Sequence, residues 1–324
     1  MKALKLFFFF LVFQTISFAQ QEAMTLDGKN VILYEDGSWS YPETQSLKLH
    51  TSKIANLEIP KTNADVSIIR HTGFSLLYNE AHEQASWVAY ELTREKTAKG
   101  VERTDKFLPD PKVLTGTATN KDYEKSGYDR GHLAPAADMS WSEVAMAESF
   151  YFSNMSPQLP GFNRGVWKRV EEQVRLWAVE NERIHIVTGP ILTEGLNTIG
   201  KNEVSIPNHY YKVILDYTSP NVKGIGFIIP HESSSLSLQH FAVTIDSVEI
   251  LTGIDFFPSL PDSHEYLIEK TLCISCWTWG NTTPVMPVEE APVVPSQCKG
   301  ITKSGSRCKN KTSDKDGFCH LHKG

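Results

Sequence analysis

Cysteine is scarce in this chain and comes late. Five of the 324 residues are cysteine and none precedes Cys273, which excludes a disulfide scaffold for most of the length. Long apolar runs are missing as well. One run, Leu6 to Phe13, is too short to cross a bilayer and has no stop-transfer flank, so stable membrane insertion is not expected. No cysteine lies near it to carry a lipid, and no internal repeat is visible. An excess of basic residues is also lacking: 32 Lys and Arg face 38 Asp and Glu, a net charge of -6. That balance argues against a broad, tight grip on duplex nucleic acid. It leaves room for a site with a local positive field.

What is present is an ordinary globular composition, 40% hydrophobic and 22% charged, with enough chain for one large domain or two ordinary ones. Lys2 and Lys5 precede the apolar run, and Ser17-Phe18-Ala19 closes it with small residues. This predicts a signal peptide over 1–19 and a secreted or periplasmic protein. Removing its two lysines takes the net charge from -6 to -8. Residues 298–324 run the other way, with seven Lys or Arg against two Asp or Glu, a local +5.

Along the chain, Val31 to Tyr34 and Trp39 to Tyr41 flank an Asp-Gly turn, predicting a β-hairpin segment over 20–41. The polar, aperiodic stretch 42–58 reads as a linker. The main domain is expected over 59–280. Its β-prone runs are Ser75 to Tyr78, Trp87 to Leu92, Ile184 to Thr188, Tyr210 to Tyr217 and Ile225 to Ile229. Thr93 to Thr119 is charged and broken by proline, as a surface loop would be. Ser142 caps a short helix reaching Glu148. A longer helix runs from Asn163 to Asn181, with Val166, Trp167, Val170, Val174 and Trp177 on its apolar face. Ser247 and Ser263 are candidate caps of two further helices, and Gly253 ends the first. A proline-rich linker over 281–297 leads to a tail at 298–324.

Tyr128 to Met139 reads Tyr-Asp-Arg-Gly-His-Leu-Ala-Pro-Ala-Ala-Asp-Met. It sets Asp129, Arg130, Gly131 and His132 side by side. His132 can serve as a base near neutral pH, and Arg130 is a planar fork suited to phosphate oxygens. Four such residues alone would also suit a polar turn with a surface ion pair. Two more segments follow in order: Phe150 to Gln158, with Asn154, and Phe162 to Glu171, with Asn163. Together the three motifs resemble the DNA/RNA non-specific endonuclease family of the ββα-metal (His-Me finger) class, over roughly Val66 to Trp279.

The resemblance implies an α+β fold: a central antiparallel sheet, flanking helices and a ββα-metal active-site motif; the tail, which looks like a small Cys3His zinc-binding module, adds a small C-terminal metal-stabilised module. It implies hydrolysis of DNA and RNA phosphodiesters without strong sequence preference, with Mg²⁺ (or Mn²⁺) as cofactor. His132 would be the general base and Asn163 the ligand to magnesium. Glu171 would hold metal-bound water, and Arg130 would add charge at the phosphate. Arg103 stands where the family has a second phosphate-contacting arginine, Arg175 lies beside Glu171, and Asn154 would position His132 or the phosphate. Glu171 and Arg175, four apart, could equally be a helix salt bridge, and Asn163 a helix cap. Asp138 and Glu143 are assigned structural places. DNA and RNA are the expected partners, and a homodimer is compatible with the reading. The alternative class is a non-catalytic nucleic-acid or surface-binding protein that keeps the nuclease fold.

In the tail, Cys298, Cys308, Cys319 and His322 offer three thiolates and an imidazole, a set suited to tetrahedral Zn²⁺. The segment has almost no apolar core, so it should depend on the metal to fold. Disulfide formation is the rival. Cys273 and Cys276 read as a local disulfide or two packed thiols.

Overall fold

The computed structural model describes residues 51–62, 67–98 and 100–280, with short pieces at 21–24, 30–33, 39–40 and 47–49 before them and 296–297, 299–300, 307–312, 319 and 322 after them. The signal-peptide segment 1–19 and Cys298 lie outside the described residues. Near the N-terminus, Asn30–Leu33 pairs with Trp39–Ser40 and also with Gln21–Met24. The expected hairpin therefore gains a third strand.

Leu47–Lys48 forms strand β1, Ile69–Arg70 β2, Ser75–Asn79 β3 and Gln84–Thr93 β4. Asp129–His132 is β5 and Met155–Gln158 β6. Arg183–Pro190 is β7, His209–Asp216 β8, Asn221–Pro230 β9 and Ala242–Val243 β10. The main sheet runs β10-β9-β8-β7-β4-β3-β2, with β1 added to β9, and its pairings are antiparallel. The expected α+β fold around a central antiparallel sheet is the fold observed. Strands β4 and β7 are neighbours, yet 89 residues (94–182) separate them in sequence. That excursion carries the β5–β6 ribbon, and it lies over one face of the sheet.

Strand alternation builds two cores. Tyr90, Ile186, Tyr210 and Ile214 face one side and pack with Val166, Trp167, Val170, Val174 and Trp177 of the long helix region. Ala89, Val187, Tyr211 and Val213 face the other and pack with Ile245, Val248, Phe256 and Ile268. The longest helix, Lys168–Glu180, is called α3 here, after α1 (Asn120–Tyr123) and α2 (Glu143–Glu148). Ser142 caps α2 by accepting from Ala145 N, in agreement with the sequence.

Several expectations are corrected. The segment 42–58 is not a free linker: Leu47 pairs with Val222, Lys48 with Asn221, and Leu57 is 1% exposed. Its apolar residues dock on the second core, a contact that its polar composition conceals. The stretch 93–119 is irregular, but it is not all surface. Asp110, Val113 and Ala118 are buried, and Leu108 bridges to Tyr151. The helix over Ile245–Thr252 is capped by Thr244, three residues before Ser247, and ends at Gly253 with φ +67°. The next helix, Asp262–Glu269, starts directly after Pro261, so Ser263 lies inside it. Cys273 and Cys276 form a disulfide. No helix among the described residues is long and apolar enough to cross a membrane.

Candidate active site

The site begins with the β5–β6 ribbon, in which Asp129 pairs with Gln158, Arg130 with Pro157, Gly131 with Ser156 and His132 with Met155. Alternation sends Arg130 and His132 to one side and Asp129 and Gly131 to the other. Glycine at 131 has a steric reason: a Cβ there would stand 2.1 Å from Gln158 Oε1. The close approach is thus to a neighbouring side chain within the ribbon.

Beyond His132 the chain is held by Asn154. Its Oδ1 accepts from Ala134 N at 2.9 Å, and its Nδ2 donates to Ala134 O at 2.9 Å and Ser149 O at 2.8 Å. Leu133 N donates to the backbone oxygen of Asn154 at 3.0 Å. Asn154 is fully buried, so direct phosphate contact, one of the two expected roles, is corrected: its amide is spent on the backbone next to His132.

The helix that follows starts as a π-helical turn, Phe162–Trp167, kinked at Gly165, before α3 takes over at Lys168. Asn163 sits inside that turn and is not a helix cap. Its Nδ2 donates to Asp129 Oδ2 at 2.9 Å, and Arg164 donates to both oxygens of Asp129, at 2.9 and 2.7 Å. Trp167 Nε1 donates to His132 O at 3.3 Å. These bonds clamp the helix to β5. They bring the side chains of His132 and Asn163 to one cleft of about 500 Å³, also lined by Arg103, Arg130, Glu171 and Arg175. Six of the seven residues singled out in the main domain meet there, and Asn154 supports the wall from beneath.

The lining of the cleft is mostly basic. Arg103, Arg130, Arg164, Lys168 and Arg175 face it with Glu171 as the carboxylate in the wall, while Arg103, Arg164, Lys168 and Arg175 also pair with Asp105, Asp129, Glu172 and Asp138. Two arginines are set by aromatic rings. Arg103 lies 4.8 Å from the Phe150 ring centre and Arg130 lies 4.3 Å from that of Phe107. The same two rings meet the imidazole of His132 edge-on, at 4.8 and 5.9 Å. Arg130 also donates to Asn120 Oδ1, and Arg103 pairs with Asp105 at 2.6 Å. His132 is 9% exposed, and its Nε2 has no hydrogen-bond partner among the described residues. Burial, aided by the Arg103 charge, pushes the imidazole down to about 3, so the ring is neutral at ordinary pH.

Below Glu171 lies a charge network that sequence reading missed. Arg175 donates to Asp138 Oδ1 at 2.8 Å, and Tyr90 Oη donates to Asp138 Oδ2 at 2.8 Å. Arg175 therefore makes its ion pair with Asp138 and not the anticipated i,i+4 pair with Glu171. Lys212 of β8 is completely buried, with Nζ 3.0 Å from Thr188 Oγ1 and 4.7 Å over the Trp167 ring. Burial raises the carboxyl of Glu171 and lowers the ammonium of Lys212, and each one's charge opposes the other's shift. The available signal was a lysine placed between Tyr210 and Ile214 at strand spacing, in a run otherwise apolar on both faces.

In the tail, Cys308, Cys319 and His322 bring ligand atoms within 4.8 Å of one another. The Cys308 and Cys319 sulfurs are 3.9 Å apart, and Cys319 Sγ is 3.4 Å from His322 Nδ1.

A two-stranded ribbon and a helix that deliver an imidazole, an amide, a carboxylate and several guanidinium groups to one depression define a ββα class of site. A family model described as DNA/RNA non-specific endonuclease matches residues 50–263, and the chain belongs to that family. A second model, described as a domain of unknown function (DUF5763), matches residues 295–324. Nuclease EXOG, mitochondrial, of Danio rerio is 36% identical over 224 residues, covering 64% of this chain and 65% of the relative. Human endonuclease G, mitochondrial, is 34% identical over 202 residues, 58% of this chain and 68% of the relative. A solved structure of the EndoG/EndoGI complex matches with a TM-score of 0.56 and 30% identity, over 60% of this chain and 86% of that one. The chain matches less than two thirds of the EXOG relatives' own length, 65% for zebrafish and 58% for mouse.

These relatives overturn the expected location. They are named as mitochondrial nucleases, which speaks against the expected secreted or periplasmic location. Two lysines before an apolar run do not by themselves fix the compartment.

Proposed function

We propose that this chain is a metal-dependent endonuclease that hydrolyses phosphodiester bonds of DNA and RNA without strong sequence specificity. The observation that carries the reading is the convergence of His132, Asn163 and Glu171 with five basic side chains in one cleft. The body of the protein is acidic, so that concentration of positive charge marks where a phosphate backbone is drawn in. Contacts to phosphate carry no base information, which accounts for weak sequence preference.

The family is metal-dependent, typically on Mg²⁺, and the residues present fit such an ion. Amide and carboxylate oxygens are hard donors, and no thiolate lines the cleft. Asp129 engages the nitrogen of the Asn163 amide, leaving its Oδ1 for a ligand. Asn163 would hold Mg²⁺ or Mn²⁺, and Glu171 would anchor its water shell. When bound, the cation supplies positive charge at the phosphate and at the leaving oxygen. His132, neutral because it is buried, takes the proton of the attacking water. Arg130 and Arg103, held over Phe107 and Phe150, neutralise charge that builds on the phosphate. Arg175 is oriented by Asp138 and Tyr90. Asn154 fixes the backbone after His132 and acts as a positioning residue. In the tail, Cys308, Cys319 and His322, with Cys298, would hold Zn²⁺ as a separate structural ion.

Plasmid DNA and a structured RNA are the test substrates. Cleavage should stop in EDTA, return with Mg²⁺ or Mn²⁺, and fall by about a thousandfold or more in His132→Ala. Equal cleavage by wild type and His132→Ala would refute the assignment.

A further inference from the structure

A second cavity, of about 360 Å³, opens next to the cleft and is lined by Asn120, Tyr123, Glu124, Tyr128, Asp129 and Arg130. Arg130 belongs to both depressions. Its guanidinium is fixed at the seam by Asn120 Oδ1 and by the ring of Phe107. We propose that this cavity is a nucleobase subsite that receives the base flanking the scissile phosphate, a proposal that rests on the nuclease reading given above.

Charge separates the two depressions. The catalytic cleft is lined by five cations and one carboxylate, whereas this cavity is lined by Arg130, Glu124 and Asp129, the last neutralised by Arg164. That balance gives no net pull on a second phosphate. The edge of a nucleobase is neutral and rich in N–H donors, and a carboxylate accepts from it well. Asp129 is already engaged by Asn163 and Arg164, so Glu124, which is exposed, is the acceptor left for a ligand. Tyr123 is 6% exposed and contributes part of its ring to the wall. Tyr128, half-buried, gives the cavity an aromatic wall, the usual platform for an unstacked base. The volume falls in the range of small-molecule sites. With the phosphate held on the catalytic side of Arg130, the attached nucleoside reaches across the seam, and its base leaves the stack to enter the cavity.

The test uses short single-stranded oligonucleotides with one cleavable phosphodiester, carrying either a base or an abasic residue on each side of it. Wild type should lose about tenfold in kcat/KM when the correct flanking base is removed. Bases with an exocyclic amino group should outperform thymine. Glu124→Ala should match wild type on the abasic substrate and be nearly indifferent to the base. No loss on either side, or an equal loss in wild type and variant, overturns the subsite. Binding of the same oligonucleotides to His132→Ala protein in EDTA is measured in parallel by anisotropy. If no substrate is cleaved at all, the nuclease reading fails, and this arm decides the subsite alone. A base-dependent affinity that disappears with Glu124→Ala supports the subsite, and a base-independent affinity overturns it.

Discussion

Replacing Lys212 by methionine removes a cation that the fold has sealed beneath the site. Its ammonium is fully buried, donates to Thr188 Oγ1 at 3.0 Å and answers the charge of Glu171 on the helix above. Methionine keeps most of the volume and can stay against Trp167, so the change is mainly electrostatic. Removing one partner of a buried pair costs about 3–5 kcal/mol, because the other charge is left uncompensated. Glu171 can evade part of that by taking up a proton. Its carboxyl is already raised by burial and is held down chiefly by Lys212, so the variant raises it further. A carboxyl whose folded value lies above its unfolded value of about 4.3 loses stability as pH rises between the two. Wild type shares that loss up to about pH 8, where its own Glu171 titrates, so the Lys212→Met penalty should be small up to about pH 7 and grow as pH rises above about 8. Urea denaturation in EDTA of wild type, Lys212→Met, Glu171→Gln and the double variant measures this. The double variant should fall short of the summed single effects by about 1–3 kcal/mol. Additive effects, or a penalty that ignores pH, would refute the reasoning.

Other outcomes follow from the same geometry. Burial holds His132 at about 3, so the acid limb of kcat/KM attributable to this base should lie well below the ordinary imidazole value of about 6.5. An acid limb near 6.5 that disappears in His132→Ala would contradict it. For stability the sign is that of a depressed histidine: the unfolded chain binds the proton first, and folding loses about 1.4 kcal/mol per pH unit as pH falls through that window. His132→Phe should flatten that slope in acid denaturation. Asn154→Ala strips three hydrogen bonds from the Ala134 and Ser149 backbone. It should destabilise by about 2–4 kcal/mol and lower kcat more than it raises KM, as read from melting and steady-state kinetics. Cys308→Ser should abolish zinc in elemental analysis of the full chain while leaving nucleic-acid cleavage unchanged.

Much of the candidate site was legible because three short motifs, in order, resemble the endonuclease family. Asp129 through His132, Asn163 and Glu171 are polar groups in short segments whose order and spacing are visible directly. The valine and tryptophan spacing of α3 announced which face would be buried. The strand runs at 87–92, 184–188 and 210–217 followed from β-branched and aromatic residues. What stayed hidden depends on contacts between distant segments. Asp138 reads as one more acid in a loop until Arg175 and Tyr90 converge on it. The segment 42–58 reads as polar until its few apolar residues find β9 and the second core.

The expected base, amide and carboxylate came from the resemblance of three motifs to a family; by itself, the sequence determined the helix that bears two of them and the strands that make the sheet. Periodicity and short-range hydrogen bonding suffice for these, since they act between near neighbours. Only the tertiary structure decided that Lys212 lies under α3, that Arg103 stands beside His132 and that a second cavity opens across Arg130. Those placements arise when strand alternation and sheet order bring residues far apart in the chain to the same face, and no local spacing records that.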